Sequence, residues 1–115
     1  TARGWGAHHA GQDLIVLVNL LHLIRTPEAR TLIHEAAQAL APGGCLVFYG
    51  PFLRDGQTTS QNDARFHASL TAQDPEIGYK DIADVTGWIV EGGLSGPDIR
   101  EMPANNLLLA VRCPA

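Results

Sequence analysis

Apolar positions along this chain of 115 residues fall into two patterns. Leu14 to Val18, Cys45 to Tyr49 and Leu107 to Val111 are short unbroken apolar runs, the length expected of strands covered on both faces. Between the first two runs, Ala29, Leu32, Ile33, Ala36, Ala37 and Leu40 recur at helical spacing and draw one stripe along a helix from Pro27 to Leu40. Thr26 is the expected N-cap and Pro27 the first helical residue, while Pro42 with Gly43 and Gly44 ends the helix. Strand, crossover helix and strand form a βαβ unit, whose two strands lie parallel in one sheet.

The second half is more broken. Asp55-Gly56 marks a tight bend, and Ser60 followed by Asp63 signals a helix to about Ala72, closed by Asp74-Pro75-Glu76. Asp81 to Glu91 carries Ile82, Val85, Trp88 and Ile89 on one face and stops at Gly92-Gly93, so Trp88 is expected in the core. Ile99 to Met102 and Leu107 to Val111, joined by Pro103-Ala104-Asn105-Asn106, are expected to form a hairpin. The expected fold class is therefore α/β, a parallel βαβ unit followed by helices and a terminal antiparallel hairpin, in one unit over residues 13–115. Residues 1–12 have no periodicity and are expected to be an arm or loop with Trp5 as an anchor.

Composition narrows the function. An apolar content of 45% with 17% charged residues belongs to a folded domain, and the length allows one. The net charge of −4, with Lys and Arg scattered, lacks the basic face of a nucleic-acid binder. The apolar stretch from Leu14 to Ile24 is too short for a membrane span and is interrupted by Asn19 and His22. Cys45 and Cys113 have no motif spacing for a metal or a disulfide and suit a reducing, cytoplasmic setting as buried small apolar groups. The adjacent His8 and His9 would face opposite ways on a strand, which argues for solvated histidines and no metal.

Sites in such sheets gather at the carboxyl ends of the strands, here Asn19 to His22 and Tyr49 to Phe52. The imidazole of His22 could orient a substrate or accept a proton, or it could be a turn residue bonded to nearby backbone. Asn19 could contact a ligand through its amide or cap the turn that follows. Tyr49 offers a ring for stacking and a hydroxyl for bonding, with Pro51 and Phe52 beside it as candidate substrate contacts. Asn105 is a further candidate, although a hairpin most simply uses Asn for turn angles.

The stretch Asp13 to His22 resembles the fourth strand and following loop of class I S-adenosylmethionine-dependent methyltransferases, and Leu40-Ala41-Pro42-Gly43-Gly44 resembles their turn into the fifth strand. The terminal antiparallel pair is similar to their sixth and seventh strands. Tyr49-Gly50-Pro51-Phe52, Asn62 with Phe66, Asp74-Pro75-Glu76 with Gly78 and Asp81, and Met102 to Asn106 resemble the uncharacterised family that includes methyltransferase-like protein 26. Ile77 and His67 depart from that family's pattern, which tends to Trp and to an acidic residue there.

The resemblance implies the C-terminal half of a Rossmann-like sheet and methyl transfer from S-adenosylmethionine to a small acceptor. Asn19 and His22 would then lie on the cofactor side, and Tyr49, Pro51, Phe52 and Asn105 on the substrate side. Gly4-Trp5-Gly6 has neither a strand before it nor a helix after it, so no cofactor-binding glycine turn is expected in this chain. It is accordingly expected to be a truncated form, inactive and without cofactor on its own. The alternative is a non-catalytic binding or assembly module. Leu14 to Val18 carries no Lys, Pro or inward charge to guard an open edge, so a homodimer is expected through that strand or through exchange of the arms.

Overall fold

A computed structural model describes residues 11–114. Four strands, β1 (Gln12–Val18), β2 (Leu40–Pro51), β3 (Asp98–Glu101) and β4 (Asn106–Arg112), form one mixed sheet in the order β1-β2-β4-β3. β1 and β2 are parallel, with Leu14 opposite Cys45 and Val18 opposite Tyr49, as the βαβ pattern requires. β4 pairs antiparallel with both β2 and β3, so the terminal hairpin is set into the sheet with β3 on its far edge. Helices α1 (Thr26–Ala39), α2 (Gln61–Gln73) and α3 (Ile82–Glu91) complete the fold, with short 3-10 turns at Leu21–Leu23 and Pro103–Asn105.

The sheet's two faces differ. Leu46 and Phe48 of β2 with Leu107, Leu109 and Val111 of β4 are buried against Ala29, Leu32, Ile33 and Ala36 of α1 and Val85 and Ile89 of α3. Burying each of the Leu, Ile, Val and Phe side chains contributes roughly 1.5 to 3 kcal/mol, so this layer is the main source of stability. Arg30 and His34 of α1 both reach the carboxylate of Glu91 at the end of α3, an exposed tie that lines the helices up. On the opposite face, Leu14, Val16 and Val18 are 59%, 51% and 55% exposed. Register sets them beside Cys45, Val47 and Tyr49, which are only partly buried.

Several element ends differ from the sequence expectation, each for a local reason. β1 starts at Gln12, inside the segment expected to be an arm; residues 1–10 of that segment, with His8, His9 and Trp5, lie outside the described residues. α1 stops at Ala39, and Leu40 already belongs to β2, because Ala41 to Gly44 loops out as an irregularity within the strand instead of closing the helix as a free turn. Gly44 is required there: a Cβ would stand 2.9 Å from the carbonyl oxygens of both Ala41 and Gln12. Arg25, not Thr26, is the N-cap of α1, its N–H donating to Glu28 Oε1 at 3.1 Å. Ser60 and Asp81 do cap α2 and α3, accepting from the backbone N–H groups of Asp63 and Ala83. Trp88 packs partly buried against the core. Cys45 and Cys113 are free and only partly buried, and Cys113 lies just past β4.

Candidate functional site at the carboxyl ends of the central strands

β1 and β2 end side by side, with Val18 opposite Tyr49. The Asn19 N–H donates to the Tyr49 carbonyl at 2.8 Å, the last rung of the parallel ladder. Asn19 then takes a left-handed φ of 51°, which Asn tolerates better than most residues, and turns the chain into the 3-10 segment that carries His22. β2 continues through Gly50 and Pro51 to the buried Phe52. A small cavity of about 10 Å³ lies between the two strand ends, lined by Leu17, Leu20, Leu21, His22, Phe48, Tyr49, Gly50, Pro51 and Phe52. That is the lower limit of room for one water, so the mouth is closed as it stands.

The structure thus gathers Asn19, His22, Tyr49, Pro51 and Phe52 around one point. Asn105 is placed differently: it takes a φ of 61° in the hairpin turn, and its carbonyl accepts from Arg54 Nη2 at 3.3 Å. The amide that meets the Tyr49 hydroxyl belongs to the neighbouring Asn106, whose Nδ2 donates across 3.4 Å. Arg54 Nε is buried without a partner among the described residues.

His22 is 6% exposed and packs edge-on against the rings of Phe66 of α2 and Tyr79, with centroids 5.7 and 5.8 Å away. Phe66 and Tyr79 are themselves 6.1 Å apart, so the three rings touch one another and leave no cage between them for a cation. No hydrogen bond to the His22 ring is present among the described residues. Burial, followed by the positive charge of Lys80, holds its pKa below the ordinary value, so the ring is neutral at pH 7. His67 is likewise held low by burial and then by Lys80, and its Nδ1 accepts the Tyr79 N–H at 3.0 Å. That bond places the ring proton on Nε2.

A second layer holds this cluster. The Tyr79 hydroxyl donates to Asp63 Oδ1 at 2.7 Å, and burial followed by this bond raises the phenol's pKa. The Gly78 N–H donates to the His22 carbonyl at 3.1 Å. Lys80, the chain's single lysine, is 6% exposed and donates to the carbonyls of Ile24, Gly78 and Glu76 at 2.7, 2.8 and 3.4 Å.

The sequence singled out none of Asp63, Tyr79, Lys80 or Asn106 as site residues. One usable signal was present: a lone Lys directly after Gly-Tyr and before a helix cap has no charge run to explain it.

Comparison with known families places the chain. A family model described as protein of unknown function (DUF938) matches residues 2–112. The chain belongs to this family. Among solved structures, the DUF938 chain is similar to an O-methyltransferase family protein from Burkholderia thailandensis, at 21% identity and a TM-score of 0.80, covering 96% of this chain and 33% of that one. It is similar to an O-methyltransferase family 2 protein from Planctomyces limnophilus in complex with apigenin, at 24% identity and a TM-score of 0.77, covering 89% and 31%. Human N-acetylserotonin methyltransferase in complex with SAM matches at 14% identity and a TM-score of 0.77, covering 90% and 30%. These likenesses show a methyltransferase fold, and the DUF938 chain spans about a third of the length of each of the three.

The described residues do not form a cradle for an adenosyl cofactor. No carboxylate stands at the end of β1 or β2, where the chain presents Asn19 and Pro51-Phe52. Gly50, the glycine at a strand end, has Asn19 beside it, whose Oδ1 would lie in ordinary contact, 3.4 Å, from a Cβ built there. No group of three or more His, Cys, Asp or Glu able to hold a metal occurs among the described residues. No helix among them is long and apolar enough to cross a membrane.

Proposed function

We propose that this chain provides the acceptor-binding side of a methyltransferase acting on a small hydroxyl-bearing molecule, with His22 as the group that holds the hydroxyl and takes its proton. The observation that carries this is the neutral imidazole at the paired strand ends, with no hydrogen bond to its ring among the described residues and Tyr49 across the cavity. A neutral imidazole is an acceptor for an O–H proton and loses that capacity once protonated. Its rotation is limited by Phe66 and Tyr79, which suits a base that must present one nitrogen. The gap holds at most one water as it stands, so the acceptor enters only once the strand ends part, and Tyr49, with its hydroxyl met by Asn106, and Phe52 then form the wall against which its apolar body packs.

O-methylation is the chemistry named for two of the similar structures, and the fold is shared with all three. Kinship with the family of methyltransferase-like protein 26 belongs to the same proposal and rests on Tyr49 to Phe52, Asp74 to Gly78 and Met102 to Asn106. The methyl donor implied is S-adenosylmethionine, which residues other than those described would hold.

The test is methyl-tritiated S-adenosylmethionine supplied to the native protein with a panel of phenols and alcohols. His22→Asn should lower label transfer by roughly 10²-fold or more. Measurable transfer that His22→Asn leaves unchanged would refute the role of His22, and no transfer to any acceptor would refute the methyl-transfer reading.

Among the described residues β1 is an edge strand, which supports a second reading, a dimer of two copies. Pairing two β1 strands antiparallel about Ile15 would set Leu14 of one copy opposite Val16 of the other and satisfy both open edges.

A further inference from the structure

We propose that Lys80 is the positioning residue of the candidate site, its ammonium gripping the carbonyls of Ile24, Glu76 and Gly78 and thereby clamping the turn that carries His22 against the loop before α3. It rests on the reading of His22 as the group that meets the acceptor.

The geometry leaves Lys80 little other role. An ammonium has three protons, and three carbonyl oxygens converge on Nζ, so no lone pair or spare donor remains to meet a ligand. The carbonyls come from the two segments that have to meet for His22 to be placed. Ile24 follows His22 by two residues, and Gly78 receives His22 directly, its N–H donating to the His22 carbonyl. Cutting the Lys80 contacts leaves the Gly78 N–H on the His22 carbonyl as the bond at Gly78 itself, while Thr26 and Arg25 still tie the far end of the turn to Glu76 and Asp74.

Burying an ammonium is costly unless every donor is matched. The clamp is consequently all-or-none: a neutral amine keeps two protons for three carbonyls and loses its charge-assisted strength. Burial indeed draws the Lys80 pKa down, opposed by Glu76 and Glu28. The groups facing His22 are Lys80 and Tyr79 from the loop before α3, Phe66 with the neighbouring His67 from α2, and Tyr49 across the cavity from β2. Of these, Lys80 is the one whose positive charge acts on His22, after burial, so the same side chain both places the imidazole and disfavours its protonation.

Two variants separate placement from charge. Lys80→Met removes both. Lys80→Arg keeps the charge, but its planar fork cannot aim three protons at converging carbonyls. Hydrogen exchange at the Gly78 amide reads the clamp, and histidine-selective ¹³C NMR of the whole chain reads the His22 pKa. Neither needs an acceptor or a methyl donor, so failure here is distinguishable from failure of the methyl-transfer proposal.

Gly78 exchange should quicken about tenfold or more in both variants while β2 and β4 amides keep their protection. The His22 pKa should rise in Lys80→Met and stay low in Lys80→Arg. Unchanged Gly78 exchange in Lys80→Met overturns the proposal. Should either variant fail to fold, the native chain suffices, since its single lysine gives one ¹³Cε signal to titrate. Gly78 protection should then fall in step with loss of the Lys80 proton, beyond the ordinary base dependence of exchange. Protection that ignores that titration overturns the proposal equally.

Discussion

The Tyr79 hydroxyl and Asp63 Oδ1 are 2.7 Å apart, and this bond joins the first turn of α2 to the loop behind His22. α2 buries only Leu70 fully, so it depends on such ties more than α1 does. Tyr79→Phe keeps the ring contact with His22 and deletes the bond, at an expected cost of about 1.5 to 3 kcal/mol, the range for a bond to a charged group. The raised pKa also has a sign. A phenol held protonated in the fold contributes stability below its unfolded value near pH 10, and that contribution is lost as pH climbs above it. Alkaline titration followed at 295 nm should show one of the two tyrosines ionising late, and Tyr79→Phe should remove that late step.

Acid should weaken the fold through His22 and His67. Both have folded pKa values below the ordinary 6.5, so the unfolded chain takes up their protons first. Stability is therefore full above about pH 7 and falls as pH drops through 6.5 toward the lowered values. Denaturant midpoints between pH 7.5 and 5 should fall, and the combined His22→Phe and His67→Gln change should flatten that slope. An unchanged slope would mean that other groups govern it.

The helix layer and the open face should respond oppositely to truncation. Ile33→Ala in the buried stripe should cost about 2 to 5 kcal/mol. Val16→Lys on the open face should leave the fold intact and shift any dimer to monomer, read by light scattering. A large stability loss in monomeric Val16→Lys would show that this face is covered within the chain.

Gly78 has a φ of 138°, and a Cβ there would stand 2.9 Å from His67 Nδ1. Gly78→Ala should consequently disturb the Tyr79 and His22 contacts together, seen as loss of their mutual ring-proton NOEs.

Much of this was legible in the chain itself. The stripe from Ala29 to Leu40 and the helix start at Ser60 are local signals that survive folding, whereas the cap expected at Thr26 moved one residue to Arg25. The strand-end rule pointed to His22 and Tyr49 because parallel strands place their ends together whatever the side chains. The extension of β2 to Leu40 was hidden, since Ala41-Pro42-Gly43-Gly44 reads as a plain turn until β1 lies beside it. Lys80 was hidden for a related reason: its partner Ile24 is 56 residues away, and a lysine's burial depends on carbonyls that no sequence pattern displays. Tyr49 likewise meets Asn106, 57 residues on, while the candidate Asn105 is met by Arg54 through its carbonyl.

The absence of an adenosyl cradle among the described residues gives a binding prediction. Calorimetric titration of S-adenosylmethionine into this chain should show no affinity at or below about 1 μM, roughly 8 kcal/mol of binding free energy. Binding tighter than that would mean that the strand ends rearrange to hold it.

The most direct test of the central claim, that an acceptor docks at the paired strand ends against His22, is histidine-selective ¹³C NMR during titration with a small phenol. The account predicts a saturable shift of the His22 signal, with His34, exposed beside Glu91, unmoved. A titration that moves His34 or no histidine at all, while the phenol is shown to bind, would contradict it.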